Sequence, residues 1–118
     1  MIFKKYILDL AKNNNLSLRA VARGIDISPS YLSEILNNKH PVNHGLLQKL
    51  AQFFDVSLVD MYTKAGWLSL DDEQEFYTRM QEILADEDDM KRFLDIMFKM
   101  KRKERQEKIK LILAAMGK

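Results

Sequence analysis

The sequence predicts an all-α protein, and three observations support that fold class. Apolar residues make up 47% of the 118 residues and recur at helical spacing along most of the chain. Only four Gly and two Pro interrupt it, which leaves little room for irregular structure. Ser, Asn and Asp stand directly before several of the apolar-paced stretches, as expected of helix N-caps. We therefore expect a succession of helices joined by short connections.

The first two helices are short and amphipathic. A lead-in helix is expected from Ile2 to Asn14, and a second helix is expected to begin after Ser17, whose hydroxyl can accept from a free amide of the first turn. Val21 and Ala22 then face inward, and the small Ala22 allows two helix backbones to approach closely. The turn from Gly24 to Ile27 contains Asp26, which tolerates a left-handed conformation better than most residues.

The third predicted helix carries the most informative pattern. Ser28 is a preferred N-cap, and Pro29 occupies the first helical position, where its missing N–H costs nothing. Its apolar residues are spaced three and four apart and form one stripe, namely Leu32, Ile35 and Leu36. Its polar residues form the opposite face, namely Ser30, Ser33, Glu34 and Asn37. One face is expected to pack, and the other to meet a partner outside the domain.

Two further helices complete the first domain, for which we predict residues 1–66. Asn43 is expected to cap a helix that runs to about Phe54, and Ser57 a short helix that runs to about Tyr62. The fourth helix has an apolar inner face of Leu46, Leu47, Leu50, Ala51 and Phe54. The domain is expected to end at Lys64-Ala65-Gly66.

Several spaced elements of this domain together resemble a known family. They are Leu16–Ala22, Ile27–Ser33, Leu46–Ala51 and Val56–Leu58. In that order they are similar to the five-helix DNA-binding domain of the lambda-repressor-like, Cro/C1-type (XRE family) helix-turn-helix transcriptional regulators. The resemblance implies that the partner is double-stranded DNA. Asp26 and Asn38 stand where relatives usually have Gly, and Leu18 where they often place a polar side chain.

The expected DNA contacts follow from the placement of the third helix in the major groove. Base edges would be met by Ser30, Ser33 and Glu34, whose carboxylate can accept from a cytosine amino group, and Tyr31 would touch the backbone at the rim. The helix N-termini and nearby polar residues would clamp phosphates, namely Ser17, Arg19, Ser28, Asn37, Lys39 and Asn43. A carboxylate that faces DNA is costly unless it finds a donor, so the role of Glu34 requires such a donor on a base edge.

The charge distribution agrees with modest phosphate binding. Residues 1–64 have eight Lys or Arg against five Asp or Glu, and residues 65–118 have eleven against twelve. The excess of positive charge therefore lies in the first domain. It is small enough that affinity is expected to depend on oriented backbone amides, a few phosphate contacts and dimerisation.

The second part, residues 67–118, is predicted to be a short helical oligomerisation segment. After Trp67 and Leu68, Ser69 with Asp71 and Asp72 should start a helix through Leu84, and the acidic cluster from Asp86 to Asp89 should start another. One long helix or two could follow this cluster. We favour two, joined near Lys101 to Glu104, because the apolar phase fails between Met100 and Ile109.

These helices are too few to be expected to enclose a good core alone, so we predict that a second copy buries their apolar residues. The proposed dimerisation residues are Phe93, Leu94, Met97, Phe98, Ile109, Ile112 and Leu113. Packing of the segment against the first domain is the alternative. The basic run from Lys99 to Lys110 is interpreted as a solvated face paired with Glu104 and Glu107, or alternatively as a second nucleic-acid or anionic-surface contact.

Nothing in the sequence favours catalysis, a cofactor or a metal. The chain has no Cys, and Pro41 prevents His40 and His44 from lying on one regular helix. His40 is interpreted as a loop residue, either near a phosphate or simply exposed. No signal peptide is recognised, because Asp9 and Lys12 interrupt the first apolar stretch, and no window has the length of a membrane span. A cytoplasmic location is expected.

Two functions from different classes fit these observations. The favoured one is a sequence-specific transcriptional regulator that binds an inverted-repeat operator as a homodimer, most simply as a repressor. The alternative is an antitoxin or interaction adaptor, in which the second part binds a regulatory partner protein and DNA binding is autoregulatory.

Overall fold

The computed structural model describes residues 2–68 and 72–117, and this part of the chain contains eight helices and no strand. It divides into two compact units, Met1–Trp67 and Leu68–Lys118. The all-α fold class predicted from the sequence is confirmed. None of the helices in the described residues is long and apolar enough to cross a membrane.

The first unit has five helices, which end close to the predicted residues. They are α1 (Ile2–Asn13), α2 (Leu18–Gly24), α3 (Pro29–Leu36), α4 (His44–Phe54) and α5 (Leu58–Lys64). The predicted N-caps of α2 to α5 are confirmed, because each cap side chain accepts from a backbone amide of the first helical turn. These caps are Ser17, Ser28, Asn43 and Ser57.

The core of the first unit includes the apolar faces predicted for α2, α3 and α4, together with buried residues of α1 and α5. Its fully buried members include Ile7, Val21, Leu32, Ile35, Leu36, Leu47, Leu50, Met61 and Tyr62. Neighbouring helices α2 and α3 pack against each other, as do α4 and α5, while α1 contacts α2 and α5. The buried stripe of α3 therefore fixes which side of that helix remains exposed.

Each of the four connections between the helices of the first unit has a non-glycine residue in left-handed backbone, namely Asn15, Asp26, Asn38 and Asp55. Asp26, in the turn between α2 and α3, has φ 61°, and Asn38, after α3, has φ 62°. Both conformations were expected at these positions, and Asp and Asn adopt them with less strain than most other non-Gly residues. The helix pair therefore keeps its turn geometry without the usual Gly.

The second unit has three helices: α6 (Asp72–Leu84), α7 (Glu87–Lys99) and α8 (Arg102–Ala115). The predicted break is confirmed, because Met100 and Lys101 are extended, with ψ 151° and 150°. Asp86 caps α7 by accepting from the amides of Asp88 and Asp89, at 2.8 and 3.2 Å. The predicted start of α6 at Ser69 and Asp71 lies outside the described residues.

An aromatic cluster lies at the centre of the second unit. Phe76 and Tyr77 of α6 contact Phe93 of α7, with ring centroids 5.9 and 6.1 Å apart, and Tyr77 stacks on Phe98. The buried apolar residues of this unit are Leu68, Phe76, Tyr77, Met90, Leu94, Met97 and Ile109. Hence the second unit buries more of its apolar residues within a single chain than its short helices suggested.

Candidate nucleic-acid interface

The exposed side of α3 is the polar face that the sequence predicted. Ser30, Ser33, Glu34 and the C-capping Asn37 lie on it, and we call these four residues the recognition face. Tyr31, with 37% of its surface exposed, lies beside them. These are short side chains on a helix whose opposite stripe is fully buried, so the backbone that carries them is held in place by the core.

The beginnings of α2, α3 and α4 have polar side chains that already act as caps. Ser17 Oγ accepts from Ala20 N and Ser28 Oγ from Tyr31 N, both at 3.1 Å, and Asn43 Oδ1 accepts from Leu46 N at 2.8 Å. Each of these side chains caps its helix with an oxygen that accepts a hydrogen bond. Capping therefore does not use the serine hydroxyl protons or the asparagine amide protons. These three predicted phosphate contacts can therefore act as caps and as donors at once.

Asn37 joins the end of α3 to the first helix. Its side-chain nitrogen donates to Ser33 O at 2.9 Å, and its Oδ1 accepts from Lys4 Nζ at 2.7 Å. The sequence interpretation did not identify Lys4 as a site residue. Lys4 lies beside the buried Phe3, Ile7 and Ala11 stripe of α1, but no local pattern links it to a residue 33 positions away.

Glu34 and His40 form a close pair at the edge of the recognition face. His40 Nε2 lies 2.5 Å from Glu34 Oε2, and the His40 ring lies 5.5 Å from the ring of Tyr31. The connection after α3 brings His40 back, since Lys39 N donates to Glu34 O at 2.8 Å. His40 is thus exposed, as one of the two interpretations held, but it is also bound to a residue of the recognition face.

Arg19, Lys39 and His44 differ in their surroundings. Arg19 and Lys39 are exposed, which leaves their charges accessible to phosphates. His44 Nδ1 instead bonds to the hydroxyl of Tyr62, and its ring stacks on Trp67. His40 and His44 therefore share no site, and among the described residues no group of His, Asp and Glu is arranged to hold a metal ion.

Trp67 belongs with these core contacts. Its ring lies 6.2 Å from that of His44 and 5.6 Å from that of Tyr62, where it packs edge-on. The compact first unit accordingly includes Trp67, one residue beyond the predicted boundary at Gly66. The aromatic contacts explain the difference, since they attach the indole to α4 and α5.

The proposed dimerisation residues fall into two groups. Leu94, Met97 and Ile109 are buried within the chain, at 1 to 2% exposure, so they cannot form the outer face of a dimer without rearrangement. The half-buried remainder comprises Phe93, Phe98, Ile112 and Leu113. The most exposed large apolar residues of this unit were not proposed from the sequence. They are Leu111, Ile83 and Ile96, whose surfaces are 67, 61 and 59% exposed.

Comparisons with known proteins match the first unit. The model of a helix-turn-helix family matches residues 7–61. The chain is also similar to the uncharacterized HTH-type transcriptional regulator YvzC of Bacillus subtilis strain 168. The two are 30% identical over 61 residues, which cover 52% of this chain and 79% of that protein. No solved structure matches the chain.

Proposed function

The chain belongs to the Cro/C1-type helix-turn-helix family of DNA-binding regulators, and from this premise we propose that it is a homodimeric repressor acting at an inverted-repeat operator. The observation that carries the proposal is the exposed recognition face on a buried, capped helix. A helix of this kind can enter the major groove and meet base edges. A protein that binds an operator must have access to the DNA, so we include a cytoplasmic location in the proposal.

The proposed contacts divide by what they recognise. Ser30, Ser33 and Glu34 meet base edges, and Tyr31 contacts the backbone. Phosphates are clamped by the helix beginnings and by exposed cations, namely Ser17, Arg19, Ser28, Asn37, Lys39 and Asn43. Lys4 joins this second group, because it is hydrogen bonded to Asn37 at the end of α3. A repressor then acts by occluding the promoter.

The dimer is proposed to form through the second unit. Leu111 and Ile96 expose most of their surface, and Ile112 and Leu113 adjoin Leu111 on α8. Exposed apolar side chains of this size favour burial against a second chain. Because a two-fold dimer repeats the same head twice, its operator is expected to be an inverted repeat.

Selection of bound sites from random DNA with the full-length protein tests the proposal. We expect an inverted repeat whose halves are about 34 Å, or a small multiple of one helical turn, apart. Insertion of about five base pairs between the halves should reduce binding to the level of one head, because one half-site rotates to the far side of the duplex. Equal affinity for the selected operator and for the operator with the insertion would contradict a rigid dimer.

The oligomeric state is tested separately by sedimentation. The wild-type chain is expected to be a dimer at micromolar concentration, and Leu111→Glu a monomer, because it places a charge in the proposed interface. Lys110→Glu changes the charge of the neighbouring exposed position and serves as the control. A monomeric wild-type protein would contradict the dimer, and would direct attention to a regulatory protein partner for the same residues.

A further inference from the structure

We propose that His40 is a positioning residue for sequence recognition: it holds the carboxylate of Glu34 on the recognition face and neutralises its charge towards DNA. The inference rests on the proposed role of Glu34 in meeting a base edge. It adds a residue outside the recognition helix, and it makes sequence recognition depend on pH.

The first step is geometric. His40 Nε2 lies 2.5 Å from Glu34 Oε2, and the imidazole ring also packs at 45° against the ring of Tyr31. Tyr31 and Glu34 are three residues apart on α3, so they adjoin on its surface. The imidazole is therefore held between two side chains of the recognition helix, and it occupies one of the two oxygens of Glu34.

The pair leaves the other carboxylate oxygen for DNA. With Oε2 bonded to His40, Oε1 of Glu34 can accept from the amino group of a cytosine, whose N4 is a donor in the major groove. A free glutamate would have to lose side-chain freedom on binding. His40 reduces that loss, because it holds the carboxylate before DNA arrives.

The second step is electrostatic. Both side chains are partly exposed, at 44% for His40 and 43% for Glu34, so the charge of the pair is open to an approaching duplex. DNA carries a negative charge about every 1.7 Å along its axis and repels an unpaired carboxylate. A protonated His40 makes the pair neutral, whereas a neutral His40 leaves it negative.

This arrangement predicts a direction for the effect of pH. Histidine changes its charge between about pH 5 and 8. Among the described residues, the titratable groups that contact the His40 ring are Glu34 and Tyr31, both on α3, and Lys39 precedes it in the loop. DNA favours the protonated ring, so affinity should rise as pH falls, by at most about tenfold per pH unit for each head bound.

The test compares four full-length proteins: wild type, His40→Gln, His40→Ala and Glu34→Ala. For each, we would select sites from random DNA and measure Kd by fluorescence anisotropy from pH 5.5 to 8.5 at constant salt. Lys39→Gln, which alters the adjacent loop residue, is the matched control.

The variants should separate positioning from charge. His40→Gln retains a donor but cannot titrate, so it should keep the selected base and lose the pH dependence. His40→Ala should lose both, with discrimination at that base falling at least about fivefold, the equivalent of 1 kcal/mol. Lys39→Gln should weaken binding to all sequences alike and keep the pH dependence of the wild type.

Two results would overturn the inference about His40. The first would also overturn the proposed role of Glu34, and the second would leave that role intact. If Glu34→Ala selects the wild-type site, Glu34 reads no base, and its proposed role falls together with that of His40. If Glu34→Ala changes the selected base while His40→Ala keeps both wild-type discrimination and wild-type pH dependence, only the inference about His40 is wrong. Circular dichroism melts of each variant confirm that a folded protein is being compared.

Discussion

The two units bury their polar groups differently, and their tyrosines show it. Tyr62 in the first unit and Tyr77 in the second are both fully buried. The hydroxyl of Tyr62 bonds to His44 Nδ1, whereas that of Tyr77 has no hydrogen-bond partner among the described residues. Burial raises the pKa of Tyr77 well above its ordinary value, an effect that Arg105 opposes and Glu73 reinforces.

Within the described residues, the N-termini of the helices also have more of their backbone amides capped by side chains in the first unit than in the second. In the first unit α2, α3, α4 and α5 each have a side-chain cap. In the second unit Asp86 caps α7, but Lys101 stands at the N-cap of α8 and makes no side-chain capping bond. The second unit also buries the charged Arg105, whose guanidinium lies 4.5 Å from the Phe98 ring centroid.

The comparison teaches that the two units are specified by different means. The first combines an apolar core with satisfied caps, which suits a surface that must present side chains at fixed spacing. The second depends more on aromatic packing, and within residues 72–117 it buries Tyr77 OH and Arg105 Nε with no hydrogen-bond partner in the described chain, each of which costs stability. The predictions below test this difference, beginning with the changes that should have the largest effect.

Truncation of one core leucine in each unit should produce the largest effects. Leu32→Ala and Leu94→Ala should each destabilise their own unit by about 2 to 5 kcal/mol, because both side chains are almost fully buried. Trp67 is the single tryptophan and packs in the first unit, so its fluorescence in urea reports on that unit. If Leu94→Ala shifts this transition as far as Leu32→Ala does, the units do not unfold separately.

Close packing in the first unit is tested by its glycines. A Cβ at Gly24 would lie 2.1 Å from Phe53 Cε1, so Gly24→Ala must displace that ring and should cost about 1 to 3 kcal/mol. Gly45→Ala is the control, since the atom nearest to a Cβ at Gly45 would be Asn43 Oδ1, at 3.4 Å. The control should be neutral or up to about 1 kcal/mol more stable. Equal thermal melts of the two variants would show that α2 and α4 are less closely packed.

The two tyrosines should respond with opposite signs. Tyr62→Phe leaves His44 Nδ1 without this partner and should destabilise the first unit by about 1 kcal/mol. Tyr77→Phe removes a buried hydroxyl that has no hydrogen-bond partner among the described residues, and it should stabilise the second unit by about the same amount. Hydrogen exchange of the amides in each unit measures both effects. Destabilisation by Tyr77→Phe would show that its hydroxyl has a partner after all.

Tyr77 should also give the second unit a pH dependence. Its pKa is raised in the folded state, so the unfolded chain loses this proton first as pH rises above about 10. Stability from the neutral hydroxyl is complete below that pH and falls as pH rises towards the folded pKa. Exchange measured from pH 9 upward should show a smaller fall in Tyr77→Phe than in the wild type, and equal falls would contradict the assignment.

Changes at helix caps should give effects of similar size to those of the tyrosine variants. Ser57→Ala removes the cap of α5 and should destabilise the first unit by about 0.5 to 2 kcal/mol. Lys101→Ser supplies a cap to α8 and removes a positive charge from its beginning, so it should stabilise the second unit by about 0.5 to 1 kcal/mol. Thermal melts check both changes, and a loss of stability in Lys101→Ser would contradict the interpretation of α8.

Much of the fold was predictable because helix signals are local. Ser28 and Asn43 act on amides three residues away, and the stripe of α3 repeats within two turns. The interruption between α7 and α8 was predictable for the same reason, since the apolar phase fails there. Likewise, the exposed side of α3 follows directly from which of its residues are apolar.

The candidate site was only partly predictable. The polar face of α3 was identified, but Lys4 and the pairing of His40 with Glu34 were not. Composition shows that the second unit has apolar residues to bury, yet it does not show which of them the same chain already covers. Leu94, Met97 and Ile109 were therefore proposed for a dimer face although the chain itself buries them.

By itself, the sequence determined the all-α class, the capped helix pair and the polar face of α3, because each depends on interactions between residues a few positions apart. Only the tertiary structure decided that Lys4 reaches Asn37, that Trp67 packs on His44 and that the Tyr77 hydroxyl is buried with no hydrogen-bond partner in the described part of the chain. These features join residues from different helices, or depend on what surrounds a buried atom. They arise when the helices pack, and no spacing along the chain encodes them.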